Sequence, residues 1–571
     1  MFRNKIFLLI ACMGAASMAM AQTTYVPLWA KESWMLDRLE IKAVTDNGLN
    51  LSTVKPYMRK AYVAIADSFR QQMLDGKNTV NLSKVDAYNL DRFEANNSEY
   101  SRFDTSSMPQ WKSKHDFLGF MWPTKGNMIE VNVKDFYLSL NPAINQQQTI
   151  ETDYDNSRVY VNSKGITARG LIAQKIGFHF FLTDNQEQGP LQFRDYVDSN
   201  LAVPGTGYWK KFKDSVGVDY FDARGSVSWN VSQYVNMQFG YDQQFIGNGY
   251  RSLFTGNFAP PNLFLKFNTR FWKLNYTNIF SELYPTGKQP GDAELDKKYM
   301  AVHHLSINVL PWLNVGAFES MIFGEVNSFK LHYLQPIIFL NTLFSKDGSN
   351  NNANIGFDFK ANAAKHFQVY GQYLLDNLDG NDGKTGKDWW GNKHAYQLGG
   401  KYVDVFGIKN LDLQAEYNQL RPFTYSGSTT NNAYNNYRQP LAHPMGGNLR
   451  ELIGIVRYQP LPKLYFFGRI NYWEQGLDSA GYNFGANVNN INTSVANGGD
   501  RLRESGYPML AGIESKGLNG SITASYELKE NLFVDLGGMY RVFDKTDSKR
   551  INTSTLTIGF RWNMFRRDYD Y

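Results

Sequence analysis

The sequence predicts a large antiparallel transmembrane β-barrel with a small helical region in front of it. Apolar and polar residues alternate through most of the chain after residue 115, as in half-buried strands. In LFLKFN (263–268) apolar residues fill the odd positions, and in WKLNYTNIF (272–280) they fall mainly at even ones, so a tight turn is predicted between two strands. No segment beyond residue 21 approaches 18 consecutive apolar residues, which excludes a helical membrane protein. A large secreted β-protein is the alternative, but the sequence shows no blade-type repeat.

The first 21 residues have the pattern of a secretory signal peptide. Arg3 and Lys5 form its basic start, Ile6–Ala11 its apolar core, and residues 19–21 (AMA) a small-x-small cleavage motif. A lipoprotein signal with Cys12 as the lipidated residue is the alternative, although its apolar core is short. Cys12 is the only cysteine. Cleavage after residue 21 would therefore leave a chain without disulfides, which suits an exported barrel stabilised by hydrogen-bonded strands.

Residues 22–115 are predicted to form a helical region on the periplasmic side. The stretch AYVAIADSF (61–69) places apolar residues at helical spacing, and Pro56 stands shortly before the predicted helix start. A second helix is predicted within Lys84–Asn97 and a short one around Trp34–Lys42. We expect these helices to plug the periplasmic end of the barrel.

Residues 116–571 are predicted to be the barrel, and at roughly 25 residues per strand and its share of the loops they would supply 16–20 strands. The last predicted strand is followed by RRDYDY, which makes it an imperfect match to the terminal strands that barrel-assembly machinery recognises. The predicted strands and hairpins are Met128–Leu140, Gly165–Thr183, Ala223–Tyr241, Tyr299–Phe323 with a turn at Pro311, Ile355–Leu375, Ala395–Leu420, Leu449–Trp473, Asn519–Phe543 and Thr553–Phe565.

Polar segments rich in Gly and Asn separate the strands and are expected to be extracellular loops. Such loops hold most of the specificity of a barrel. They are 146–156, 183–207, 345–354, 376–391, 425–447 and 478–506.

The sequence predicts no enzyme, cofactor or metal site. G-x-S-x-G, H-E-x-x-H and P-loop motifs are missing. DNLDGNDGKTGKD (376–388) is partly like a calcium loop but lacks its bidentate glutamate, so a solvated acidic loop is preferred. His303 and His304 are adjacent in a predicted strand and would lie on opposite faces. The net charge of +6 falls to +4 without Arg3 and Lys5, which gives no case for nucleic acid as a partner.

Four blocks of the sequence resemble the Wzi-like capsule-assembly outer-membrane proteins of Bacteroidetes-type bacteria, which include the gliding-motility RemB-like members. The resemblance implies an 18-stranded barrel closed at its periplasmic end by a helical bundle. It implies a lectin-like role without catalysis, in which the protein binds polysaccharide and attaches or organises capsule at the cell surface. The blocks are YDQQFIGNGYRSLFTGNFAPPNLFLKFNTRFWKLNYTNIF (241–280), HYLQPIIFLNTLF (332–344), WWGNKHAYQLGGKYVDVFGIKNLDLQAEYNQLRPFTYS (389–426) and RQPLAHPMGGNLRELIGIVRYQP (438–460).

Aromatic rings concentrated in or beside the polar loops are the candidate ligand contacts. Their faces would stack on sugar rings while nearby polar groups bond the hydroxyls. An aromatic girdle at the membrane interface is the alternative for each ring, and packing of the loop into the barrel mouth is the alternative for the set. The candidate residues are Trp389, Trp390, Arg421, Tyr425, Tyr437, Arg438 and His443.

FIGNGYRSL (245–253) is predicted to have a structural role inside the barrel. Gly247 and Gly249 permit a sharp turn. Arg251, next to Tyr250, would project inward and pair with a carboxylate such as Asp242.

The sequence thus predicts a non-enzymatic outer-membrane protein for the assembly or attachment of surface polysaccharide. Its expected partners are outer-membrane lipid and surface or capsular polysaccharide. A gliding-motility or secretion accessory, which would bind envelope or motility proteins, and a solute-conducting porin are the alternatives.

Overall fold

The chain folds into a closed antiparallel barrel of 18 strands, as seen in a computed structural model that describes residues 23–152, 158–212, 217–287, 294–344, 350–376, 388–479 and 481–571. The predicted leader and most of 376–388 lie outside these residues. The barrel strands are β1 Phe136–Glu151, β2 Val159–Ile172, β3 Ile176–Gln188, β4 Gly217–Asn230, β5 Val235–Asp242, β6 Asn262–Phe271, β7 Leu274–Leu283, β8 Lys298–Leu310, β9 Leu313–Phe323, β10 Asn352–Ala363, β11 Phe367–Asp376, β12 His394–Tyr402, β13 Leu411–Leu420, β14 Leu449–Leu461, β15 Leu464–Leu477, β16 Ile513–Lys529, β17 Leu532–Lys545 and β18 Ile551–Trp562.

Each barrel strand pairs with its neighbours in sequence, and β18 closes the barrel on β1, with Thr555 opposite Glu151 and Trp562 opposite Ile144. The parity switch between β6 and β7 is confirmed, because the two strands meet at a turn of Trp272 and Lys273. Among the described residues, five short helices accompany the barrel, and none of them is long and apolar enough to cross a membrane. They are α1 Glu32–Ala43, α2 Arg59–Leu74, α3 Lys84–Ala95, α4 Leu191–Asn200 and α5 Leu340–Phe344, with 3-10 turns at Leu49–Leu51, Pro109–Trp111, Leu331–Leu334, Val405–Gly407 and Val495–Asn497.

Short strands extend the sheet or pair within loops. Ile129–Val133 lies beside the first residues of β1, and Lys210–Phe212 beside the first residues of β4. The remaining pairs are Tyr25–Val26 with Tyr57–Met58, Val54–Lys55 with Phe245–Ile246, and Asn435–Asn436 with Gln439–Pro440.

The two ends of the barrel differ in the length of their connections. At the turn end, strands are joined by short turns such as Pro311–Trp312 and Glu530–Asn531. At the loop end lie long connections, among them 243–261, 421–448 and 478–512. Two of the predicted loops start too early. β1 continues through Glu151 and β3 through Gln188, because their polar residues still complete the strand ladder, and α4 then occupies part of 183–207.

Helices α1–α3 close the turn end of the barrel. They share a core that includes Leu36, Tyr62 and Phe93. Arg38 of α1 bonds Asp86 of α3 and, from the barrel wall, Asp404 and Asp412. A side chain with 3% exposure thus ties the helices to the β12–β13 turn and to β13.

Two further segments occupy the lumen. The loop 243–261, called the inward loop below, enters the lumen from the loop end, and its Phe245–Ile246 pairs with Val54–Lys55 of the helical region. The C-terminal tail, residues 563–571, turns back from the end of β18 and runs through the lumen. Tyr569 there reaches Phe193 of α4, at the loop end.

The lumen holds a hydrophobic core as well as the polar residues that alternation predicts. Phe254 of the inward loop stacks on Phe318 of β9, with ring centroids 4.3 Å apart. Leu374 and Leu420, from other parts of the wall, belong to the same buried cluster. The wall can turn apolar side chains inward because the loops that fill the lumen bury them.

One connection lies outside the barrel. The outer flap, residues 326–343, packs on the outward face of β7–β9, where Tyr333 stacks on Phe323 with centroids 3.6 Å apart. The flap contains residues 332–343 of the HYLQPIIFLNTLF block (332–344).

Candidate ligand-binding site

The loop 421–448 turns into the barrel mouth, and two of its predicted contacts are buried there. Tyr425 has no exposed surface, and its hydroxyl donates to the carbonyl oxygen of Leu253 at 2.8 Å. His443 is equally buried, with Nε2 2.8 Å from a carboxylate oxygen of Glu451. Neither side chain offers an atom to a ligand in this arrangement.

The tryptophan pair packs against the neighbouring loop. Trp390 donates through Nε1 to Glu504 at 2.9 Å, and the Arg501 guanidinium lies 4.3 Å from its ring centroid. Arg421 is 8% exposed and bonds the carbonyl oxygen of Tyr507 at 3.3 Å. Trp389, which precedes Trp390, is half-buried. These residues form one packed group, separate from the rest of the predicted set.

Tyr437 and Arg438 are half-buried at the mouth. Tyr437 stacks on Tyr284 with centroids 4.8 Å apart. Both residues have positive φ, 49° and 62°, a left-handed conformation that side chains rarely adopt. This strained turn aims Arg438 at a cavity. The structure therefore distributes the seven predicted residues over three places, and ligand contact by any of them stays a prediction.

The FIGNGYRSL segment is held by a buried glutamate. The backbone N–H groups of Tyr250 and Arg251 donate to Glu416 at 2.6 and 3.0 Å, and a side chain at Gly249 would collide with the same carboxylate. Glycine at position 249 therefore lets the backbone of the segment approach the Glu416 carboxylate closely. Gly247 donates its N–H to the carbonyl oxygen of Thr53, which joins this segment to the helical region.

Asp242 is the wrong partner for Arg251. The Arg251 guanidinium lies 3.1 Å from Glu451 and 3.1 Å from Asp570 of the tail, while Asp242 is 4.0 Å from Arg224. Glu451 and Asp570 lie 200 and 319 residues from Arg251 in the sequence, so only the fold brings them to it. Burial alone would raise the pKa of Asp570, but Arg251 and Arg469 lower it to about 2.

A cavity of about 460 Å³ opens at the loop end of the barrel. It lies between α4, the connections 421–448 and 478–512, and the tip of the C-terminal tail. Its lining mixes guanidinium, carboxylate and amide groups with aromatic rings, which is the chemistry that a polyhydroxylated ligand requires. The residues that carry this chemistry include Gln192, Asp195, Arg438, Trp473, Asp478, Asn490, Arg541 and Tyr571.

The cavity wall is built around a tryptophan and the C-terminus. Gly517 on the adjacent strand leaves room for the Trp473 ring. The Arg541 guanidinium lies 5.1 Å from the Trp473 ring and donates to the main-chain oxygen of Tyr571 at 2.9 Å. Gln192 is 6% exposed, and its Oε1 has no hydrogen-bond partner among the described residues.

The cavity also contains two carboxylates, the exposed Asp195 of α4 and the half-buried Asp478. Partial desolvation raises the pKa of Asp195, and burial raises that of Asp478. Asp478 accepts from the Asn490 amide at 2.7 Å and from the backbone N–H of Phe484 at 2.7 Å. Asp478 thereby fixes the loop that carries Asn490, while Asp195 stays an exposed polar group of the cavity.

Sequence reasoning found Arg438 but missed Trp473, Arg541 and Tyr571. The alternation places Trp473 and Arg541 in strands. It does not show that an inward-facing strand residue lines a ligand cavity. The clustered charges of RRDYDY were the one available sign of a buried tail.

Neither protein-family models nor curated protein sequences match the chain. Among solved structures, it is similar to Wzi of Escherichia coli, a carbohydrate-binding β-barrel of the outer membrane involved in group 1 capsule assembly. The TM-score is 0.50 at 13% identity, over 94% of this chain and 99% of that chain. At this identity the similarity shows the shared fold. Pseudomonas aeruginosa OprD gives a TM-score of 0.41 at 11% identity, over 74% of this chain and 94% of that chain, too low to support an argument.

Proposed function

We propose that this chain is a non-enzymatic outer-membrane protein that binds surface polysaccharide in the cavity at its loop end. The observation that carries the proposal is that cavity, which combines arginines, amides and aromatic rings at the mouth of a filled barrel. Short turns face the periplasm in barrels of this kind, so the cavity would open to the cell exterior.

The resemblance to the Wzi-like family and the fold shared with a carbohydrate-binding barrel support the same function. Attachment or assembly of capsule follows from that resemblance, and so does the link to gliding motility in RemB-like members. The N-terminal helices, the inward loop and the tail all lie in the lumen or at its end, which favours a closed anchor over a solute-conducting porin.

The test is binding of the host's extracted surface polysaccharide to the purified, detergent-folded protein. We expect saturable binding that Arg438→Ala weakens roughly 10- to 100-fold, as the loss of one charge-assisted hydrogen bond implies. Arg450→Ala is the matched control, because Arg450 is exposed on the outward face of β14. Equal binding by both variants would show that the polysaccharide does not bind in the cavity. A folded protein without binding would point to a protein partner.

A further inference from the structure

Four successive hairpin turns at the turn end of the barrel each present a lysine. Lys365 lies in the β10–β11 turn, Lys409 in the β12–β13 turn and Lys463 in the β14–β15 turn, while Lys529 is the last residue of β16. Lys463 is half-buried, and the other three lysines are exposed. None of the four forms an ion pair with a carboxylate among the described residues. We call these four lysines the basic arc.

The helical region continues the basic surface across the closed end of the barrel. Lys77 and Lys84 are both exposed, in the connection from α2 to α3 and at the start of α3. Between them, the carbonyl oxygen of Thr79 accepts from Nζ of Lys365 at 2.9 Å, so this connection lies against the rim. Asp75 is an exposed carboxylate of the same connection, which leaves the six lysines in clear excess.

The carboxylates of the same turns are already neutralised by cations of the helical region. Asp404, in the β12–β13 turn, pairs with Lys42 at 2.8 Å. Glu530, in the β16–β17 turn, pairs with Lys31 at 2.8 Å. Both carboxylates are buried or nearly so, because the helices cover them. The positive charge of the basic arc is therefore left to the solvent.

The spacing of the basic arc indicates the shape of its partner. Successive turns stand two strands apart, about 10 Å, so the four lysines spread over about 30 Å of the rim. They cannot converge on one small anion, because each hydrogen bond to it would be only about 3 Å long. A broad positive surface instead attracts an extended polyanion.

We propose that the basic arc, with Lys77 and Lys84, binds a periplasmic polymer that bears carboxylates on successive units, which is the chemistry of peptidoglycan. Short turns face the periplasm in barrels of this kind, so the surface would meet that polymer. The two lysines of the helical region favour it over lipid headgroups, because headgroups surround the barrel whereas the helices close its end. This interaction does not depend on the polysaccharide cavity.

The test is cosedimentation of the full chain with purified peptidoglycan sacculi, with the protein held in nanodiscs of dioleoyl phosphatidylcholine. The wild type should bind, and binding should weaken as NaCl rises from about 50 to 300 mM, because salt screens exposed charges. Amidation of the carboxyl groups of the sacculi should abolish binding. Replacement of the whole basic arc should lower the affinity roughly ten-fold, as the loss of four exposed charge contacts implies. The substitutions are Lys365→Gln, Lys409→Gln, Lys463→Gln and Lys529→Gln.

The matched control removes the same charge from exposed lysines at the loop end and should bind like the wild type. Its substitutions are Lys210→Gln, Lys211→Gln, Lys516→Gln and Lys549→Gln. The amidated sacculi test the wild type itself, so that result does not depend on the folding of a variant. Equal binding by the arc and control variants, or undiminished binding to amidated sacculi, would overturn the proposal. A wild type that binds no sacculi, or only vesicles of dioleoyl phosphatidylglycerol, would overturn it as well.

Discussion

Replacing Arg38 with methionine should destabilise the docking of the helical region on the barrel. Lys42 still neutralises Asp86 and Asp404, at 2.7 and 2.8 Å, after the change. Asp412 then keeps two neutral donors, the Trp34 Nε1 at 3.0 Å and the backbone N–H of Asp404 at 3.2 Å, and no cation bonded to it among the described residues. Removal of one partner from a buried ion pair typically costs about 3–5 kcal/mol. We expect a loss of that size in the free energy of unfolding.

Urea unfolding in detergent, followed by tryptophan fluorescence, measures this loss. A double variant that also carries Asp412→Leu removes the unpaired charge, so it should recover most of the stability. Lys211→Met breaks an exposed pair with Asp198 and should cost about 0–1 kcal/mol. If Arg38→Met and the double variant lose the same free energy, the charge explanation is wrong.

Three further predictions concern pH, ligand and tail. Burial alone would raise the pKa of Asp37, Asp404 and Glu530, but neighbouring cations lower each to about 2. The stabilisation that these three carboxylates give is therefore present above about pH 4 and lost as the pH falls towards 2. Protease cleavage of the helical region should rise over that range, and constant cleavage would contradict this prediction. Arg438→Ala should weaken polysaccharide binding without changing the unfolding midpoint, which thermal scans and titration measure together. Deletion of residues 566–571 removes the Arg251–Asp570 pair and should produce conductance in planar bilayers, while a silent, folded deletion would show that the tail does not seal the lumen.

The barrel and its turn-end helices could be predicted because both depend on local periodicity. Alternation located nearly every hairpin, and the helical stretch at 61–69 falls within α2. The flap and the tail could not be predicted this way. HYLQPIIFLNTLF is apolar without a strand or helix period. Its backbone is held by Glu319 and Tyr276, which stand on two different strands of the wall.

The candidate site was harder to predict because loop polarity does not show which loop residues stay open. Tyr425 and His443 stand in a polar loop, yet the loop folds into the mouth and buries both. Trp473 and Arg541 lie in regular strands and reach the cavity only because the strands end at its floor. An ion pair between residues more than a hundred positions apart, such as Arg251 and Glu451, produces no local pattern in the sequence.

The most direct test of the proposed function joins two measurements on one sample of detergent-folded protein: binding of the host's surface polysaccharide and conductance in a planar bilayer. We expect saturable binding, weakened by Arg438→Ala, with no conductance. Conductance without binding would contradict it and make the protein a porin.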